Sequence, residues 1–253
     1  EQDDQAHPRV MLEDGLDLVA AGALPGTYGT FSFLAFADFN ADGISDKVIV
    51  RDTDGYTVAF LLAADLSHAR GAGIPGAYGD FVGIGFPDFN GDGISDKVNE
   101  RTTDGYSVAF LMQADLSYSL AKAIPGSYGT NETVGFPDLN GDGNADKVIQ
   151  NTSTGEMVAF LMNDDLTYSL AKAIPGTYGT DTTVGWADVN ADGNADKIIE
   201  KASGGSIAYL FNDDLTYTAI NLPGSYNGFV TAGFPDLNGD GQADKITQHS
   251  DGR

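Results

Sequence analysis

Apolar and polar residues alternate along this chain in short runs, without the 3.6-residue stripe of a helix. One unit shows the pattern. Thr133 to Phe136 is a β-prone run, and Lys147-Val-Ile-Gln150 resumes after a polar loop. Met157-Val-Ala-Phe-Leu-Met162 is continuously apolar, and Thr167 to Ile174 is a fourth extended stretch closed by Pro175-Gly176-Thr177-Tyr178-Gly179. Thr154-Gly155 and Asp165-Leu166 supply turns between runs, so the unit predicts four short strands. The third run is apolar on both faces here, in Val58-Ala-Phe-Leu-Leu62 and in Val108-Ala-Phe-Leu-Met112. Both faces of such a strand must be covered, as when four-stranded sheets stack around an axis. The prediction is a β-propeller, with a linear β-stack as the weaker alternative. A small residue precedes an aromatic in the first run of each unit: Ala35-Phe36, Gly85-Phe86, Gly135-Phe136, Gly185-Trp186 and Gly233-Phe234. A missing side chain there suits backbones that converge on the axis.

Between the first and second runs lies a nine-residue acidic loop, D-x-N-x-D-G-x-x-D, starting at Asp38, Asp88, Asp138, Asp188 and Asp236. Positions 1, 3, 5 and 9 offer side-chain oxygens, and position 7 a backbone carbonyl. The expected ligand sets are Asp38, Asn40, Asp42, Ile44 and Asp46; Asp88, Asn90, Asp92, Ile94 and Asp96; Asp138, Asn140, Asp142, Asn144 and Asp146; Asp188, Asn190, Asp192, Asn194 and Asp196; and Asp236, Asn238, Asp240, Gln242 and Asp244. Oxygen donors alone, with a glycine at the sharp turn of position 6, suit Ca2+, and five ions per chain are expected. Soft metals are disfavoured because no His or Cys joins the set. Position 9 is read as a bidentate ligand. Position 12, the bidentate glutamate of an EF-hand, falls inside a strand at Ile49, Asn99, Ile149, Ile199 and Thr247.

The ends predict ring closure. After the last loop the chain supplies only strands one and two, while Arg9 to Leu12 and Asp17 to Gly26 read as strands three and four. The expectation is an all-β, five-bladed β-propeller of four-stranded antiparallel blades, its last blade composite of both termini. Residues 1–9 read as a flexible segment of a processed chain and residues 10–253 as a single propeller.

Composition adjusts this picture. Net charge is −24, which argues against nucleic acid and anionic membrane partners. The chain has no cysteine, so neither disulfides nor thiolate metal sites contribute. No apolar run approaches a membrane span. Calcium loops point to a secreted or cell-surface setting.

The loop between two strands, preceded by Gly-Phe and repeated along the chain, resembles the FG-GAP and VCBS-like repeats. That resemblance implies a calcium-binding propeller like those of integrin α-subunits, with adhesion, lectin-like binding or support of attached enzymes as its range of roles. Blade count and the literal Phe-Gly and Gly-Ala-Pro signatures depart from the family.

Strand direction puts the acidic loops and the Asp-Leu turns on one face, and the hairpin turns at residues 54–55, 104–105 and 154–155 with the Pro-Gly-x-Tyr-Gly turns on the other. Recognition is expected on the second face. Tyr28, Tyr78, Tyr128, Tyr178 and Tyr226 recur, and are expected to pack between blades; Tyr56 and Tyr106 do not recur, and are the candidates for ligand contact. Lys47, Lys97, Lys147, Lys197 and Lys245 follow the last loop aspartate and are expected to be solvated or paired with acids. His7, His68 and His249 occupy no repeated slot. No nucleophile elbow or phosphate loop is present, so no enzyme is expected. Two classes stay open: a calcium-dependent recognition module for a glycan or protein surface, and a structural subunit of a larger assembly.

Overall fold

The computed structural model describes residues 24, 29–225, 228–249 and 251. Four four-stranded antiparallel sheets follow one another, each a meander in which every strand pairs with its sequence neighbour. The first contains β1 (Phe31–Ala37), β2 (Asp46–Arg51), β3 (Thr57–Leu62) and β4 (His68–Ile74). The second contains β5 (Phe81–Gly85), β6 (Lys97–Arg101), β7 (Ser107–Met112) and β8 (Tyr118–Ile124). The third contains β9 (Asn131–Gly135), β10 (Lys147–Asn151), β11 (Met157–Met162) and β12 (Tyr168–Ile174). The fourth contains β13 (Thr182–Ala187), β14 (Asp196–Glu200), β15 (Ser206–Phe211) and β16 (Tyr217–Leu222). A last sheet has two strands, β17 (Phe229–Gly233) and β18 (Ile246–His249).

The fold is an all-β propeller of four four-stranded blades plus this two-stranded sheet. The expected five-bladed form is therefore corrected: β18 pairs only with β17, and no strand pairs with its other edge among the described residues. The segment assigned to complete that blade, residues 10–24, lies outside the described residues apart from Leu24, as do residues 1–9 and the repeat tyrosines Tyr28 and Tyr226.

The cores lie between blades. β3, β7 and β11 are covered on both faces, alternating between fully and partly buried side chains. Phe39 of the first acidic loop packs with Met112 and Leu116 of the second blade. Phe89 packs with Met162 and Leu166, and Leu139 with Phe211 and Leu215, in the next two junctions. The leucines at the Asp-Leu turns take a left-handed backbone, with φ of 66° at Leu116, 62° at Leu166 and 59° at Leu215. A non-glycine residue is strained there by about 1 kcal/mol or more. Burial beneath the preceding blade's loop offsets that strain.

Each first strand carries a register shift where it meets the second, as between Gly83 and Gly85 and between Thr133 and Gly135. These bulges re-aim the strand. The glycines serve a different end from the expected approach of backbones: the next blade's aromatic ring occupies the space. A Cβ on Gly85 would stand 2.8 Å from the Phe136 ring, and one on Gly185 2.6 Å from Phe234.

Candidate metal loops and the clefts between blades

The acidic loops fold on their own side chains. In the third, Asp138 accepts the amides of Gly141 at 2.8 Å and Gly143 at 2.9 Å, one on each oxygen. Asp142 accepts the Asn144 amide and the Asn140 side-chain amide. The turn needs left-handed backbone at position 6, met by Gly43 (φ 80°) and Gly143 (φ 87°), and also at position 4, where Ala41 and Ala191 adopt it with φ of 57° and 60°. Glycine at 91, 141 and 239 was the sequence signal for that second requirement.

Position 9 acts as an internal buttress. Asp146 is fully buried and accepts the Leu139 amide on one oxygen at 2.9 Å and the Met162 amide on the other at 2.8 Å. Asp46 and Asp96 repeat this with Phe39 and Leu62, and with Phe89 and Met112. Asp196 does so with Val189 and Phe211. The aspartate thus ties its loop to the end of the third strand. Burial pushes the carboxyls of Asp96 and Asp146 up to about 7 and that of Asp196 up to about 6, against their amide partners and with help from the other two loop aspartates.

Among the described residues, no three or more carboxylates or histidines converge in the geometry of a formed ion site. The donors that remain nonetheless suit a hard cation. All are oxygens, they repel one another, and the buried Oδ1 of Asn140 has no hydrogen-bond partner. In this third loop an oxygen-seeking ion would satisfy that acceptor, whereas in the other four the position-3 oxygen accepts the amide of position 5. The oxygens of the expected sets fit Ca2+ in their chemistry, and position 9 also holds the loop in place.

Successive loops stack. The Ser95 amide donates to the Asp38 carbonyl at 2.6 Å, and Ala145 to Asp88, Ala195 to Asp138 and Ala243 to Asp188 repeat that bond at 2.7 Å. Three of the lysines after the loops are not solvated, while Lys47 and Lys245 are partly exposed. Lys97, Lys147 and Lys197 are fully buried and reach back into the preceding blade. Lys97 donates to Thr57 at 2.8 Å, and Lys147 to Ser107 at 2.8 Å with Glu100 at 3.5 Å. Lys197 donates to the Pro175 carbonyl and Thr177. Burial pulls Lys97 and Lys197 down to about 7 and Lys147 to about 8.

The tyrosines reverse their expected roles. Tyr78, Tyr128 and Tyr178 are more than half exposed. Each ring lies over its own turn, where a Cβ on Gly126 would stand 2.6 Å from Tyr128. That contact explains the glycine of the Pro-Gly-x-Tyr turn. Tyr56 and Tyr106 are instead partly buried, with the guanidinium of Arg51 5.0 Å and of Arg101 5.1 Å from their ring centres. A second aromatic slot went unread: Tyr118, Tyr168 and Tyr217 open the fourth strands, half-exposed, each edge-on to Phe110, Phe160 or Tyr209. His68 holds that slot in the first blade, against Phe60. The repeated Tyr-Ser-Leu-Ala-Lys-Ala-Ile of β8 and β12 was the signal.

The two tyrosine sets meet in a cleft of about 630 Å³ between the second and third blades. Tyr128 and Tyr168 flank it, Ile124 and Leu166 give it an apolar floor, and Asn131 and Thr167 add polar groups. Lys122 crosses it to donate to the Asp165 carbonyl at 3.0 Å. A cleft of about 530 Å³ between the first two blades has Tyr78 and Tyr118 in the same places. The clefts run from the Pro-Gly-x-Tyr turns of one blade to the Asp-Leu turn of the next, so the candidate surface is the blade junction and not one face.

No protein-family model matches the chain, and no curated protein does. Among solved structures, a lectin of Agrocybe aegerita, from work on specific recognition of non-reducing terminal N-acetylglucosamine, superposes with a TM-score of 0.68 at 18% identity. The match covers 86% of this chain and 60% of that one, so this chain spans less than two thirds of its length. The likeness is one of fold. Among the described residues no helix is long and apolar enough to cross a membrane.

Proposed function

We propose that this chain is a non-catalytic recognition module of the secreted or cell-surface kind, which binds a terminal sugar in the clefts between blades and is stiffened by Ca2+ in its acidic loops. The observation that carries the reading is the cleft between the second and third blades. Two half-exposed tyrosines, an apolar floor and a few polar groups make a site that can stack on one face of a sugar ring and hydrogen-bond its edge. The fold shared with a lectin for terminal N-acetylglucosamine supports a sugar as the ligand class. Calcium would neutralise the loop carboxylates, and the loops' contacts across blade junctions would pass that rigidity to the clefts.

A glycan array followed by titration calorimetry tests this, with glycans ending in N-acetylglucosamine as first probes. Tyr168→Ala and Tyr128→Ala are expected to weaken binding tenfold or more, with little change in melting temperature because both rings are half exposed. Wild-type protein that binds no glycan on the array, or variants that bind as tightly as wild type, would refute the assignment.

A further inference from the structure

Successive blades are joined by one repeated contact, and its two halves are left over at opposite ends of the array. The aromatic that follows each first-strand glycine lies over the glycine of the preceding blade, as Phe136 over Gly85, Trp186 over Gly135 and Phe234 over Gly185. Beside this contact, the second residue of each of the first three loops is covered by the next blade. Phe39, Phe89 and Leu139 are completely buried there. The loop-to-loop amide bonds complete the joint.

The first blade presents the projecting half. Phe36 is 52% exposed and rests on Phe33, ring centres 5.0 Å apart, which is equally open. The last sheet presents the receiving half. A Cβ on Gly233 would meet nothing within 4 Å, and Leu237, the counterpart of Leu139, is 67% exposed. Ile246, whose counterparts Val98, Val148 and Ile198 are completely buried, extends this apolar surface.

We propose that these two surfaces dock on each other between copies of this chain. Phe36 of one copy enters the space over Gly233 of a second, and Leu237 of the second is covered by the first blade of its neighbour. The argument is continuity: the joint already formed between adjacent blades has both its complementary halves exposed on one molecule. Such an interface is heterologous, so each copy keeps one free end after pairing and can add another until the ring closes. The acidic loops stack across the joint, so association strengthens as salt screens their repulsion. This inference does not depend on sugar binding.

Sedimentation across a concentration series tests it, with wild type, Phe36→Asp and Gly233→Gln. Both substitutions are at open positions, and an unchanged melting temperature in dilute solution checks that each variant is folded. Wild type is expected to exceed the monomer mass with rising concentration, and each variant alone to stay monomeric. An equimolar mixture of the variants is expected to form a dimer and nothing larger, because it holds one intact projection and one intact socket. A wild type that remains monomeric throughout, association that neither variant weakens, or a mixture without dimer would each overturn the proposal. Monomeric wild type with Phe36 shielded from solvent quenchers would place another part of the same chain over it.

Discussion

The third and fifth acidic loops share eight of nine letters, with Asn144 against Gln242 at position 7, and differ in their surroundings. Asp138 and Asp236 accept the same two amides, from positions 4 and 6, and Asp146 and Asp244 both accept the amide of position 2. Yet Leu139 is completely buried and Leu237 is 67% exposed. Burial holds the Asp138 carboxyl above its usual range, whereas the Gly241 and Gly239 amides hold Asp236 below it. The nine letters set the path of the loop; the next blade decides whether its carboxylates are shielded from water.

The largest test of that contrast is calcium. An ion that binds the folded loops and not the unfolded chain stabilises by mass action. Chelation is expected to lower the melting temperature by roughly 5–10 °C, at a few degrees per kcal/mol for a chain of this size. In calorimetry, Asp142→Ala and Asp240→Ala should each remove one bound ion, but only Asp142→Ala should also lower the melt markedly. A melt indifferent to chelator would sink the structural role of calcium.

Next comes the buttress. Asp146→Ala strands two buried amides and should destabilise by about 3 kcal/mol. Asp244→Ala, in the exposed loop, should change little. Denaturant midpoints that shift equally would show that burial by the next blade does not matter.

Leu166 and Leu66 give a smaller contrast at the Asp-Leu turns. Both have a left-handed backbone, but Leu166 is fully buried and Leu66 only partly. Leu166→Ala should cost about 2 kcal/mol and Leu66→Ala less than half of that. Equal losses in urea titrations would mean that turn strain, and not packing between blades, dominates.

The smallest effect concerns Glu100, whose place in the third blade is taken by Gln150. Its burial would raise the carboxyl, but hydrogen bonds from Ser127, Ser107 and Thr133 and the charge of Lys147 outweigh that and lower it. A lowered folded value stabilises above the unfolded value near 4.5 and loses that contribution as pH falls through the folded value. Glu100→Gln should therefore melt below wild type at pH 7, and the difference should vanish towards pH 3. A constant difference would assign the effect to shape.

Strand positions were legible because turn residues and apolar runs are local signals. Met157–Met162 coincides with β11, and Lys147 to Gln150 lies within β10. What neighbouring blades do to a side chain was not legible. Strand alternation carries no sign that Lys147 is buried against the preceding blade, or that Gly85 makes room for a ring fifty residues on. The tyrosines misled for the same reason. Repetition suggested a packed aromatic, but Tyr128 recurs because each Pro-Gly turn carries its own ring and each junction opens beside it. Blade number was read from the two ends of the chain as halves of one blade, and local strand signals cannot specify whether such halves pair.

The meander order of every sheet has a kinetic consequence. Hydrogen-bonded partners are close in sequence, so a blade can form before its neighbours are in place, and loop-closure entropy is small at each step. Folding can begin in any of several nearly equivalent units and spread along the chain, as in other repeat arrays. The weakest link is then the two-stranded sheet, which has no outer strands of its own among the described residues. Reversible opening should start there and move inward, leaving the central blades as the last cooperative unit to melt.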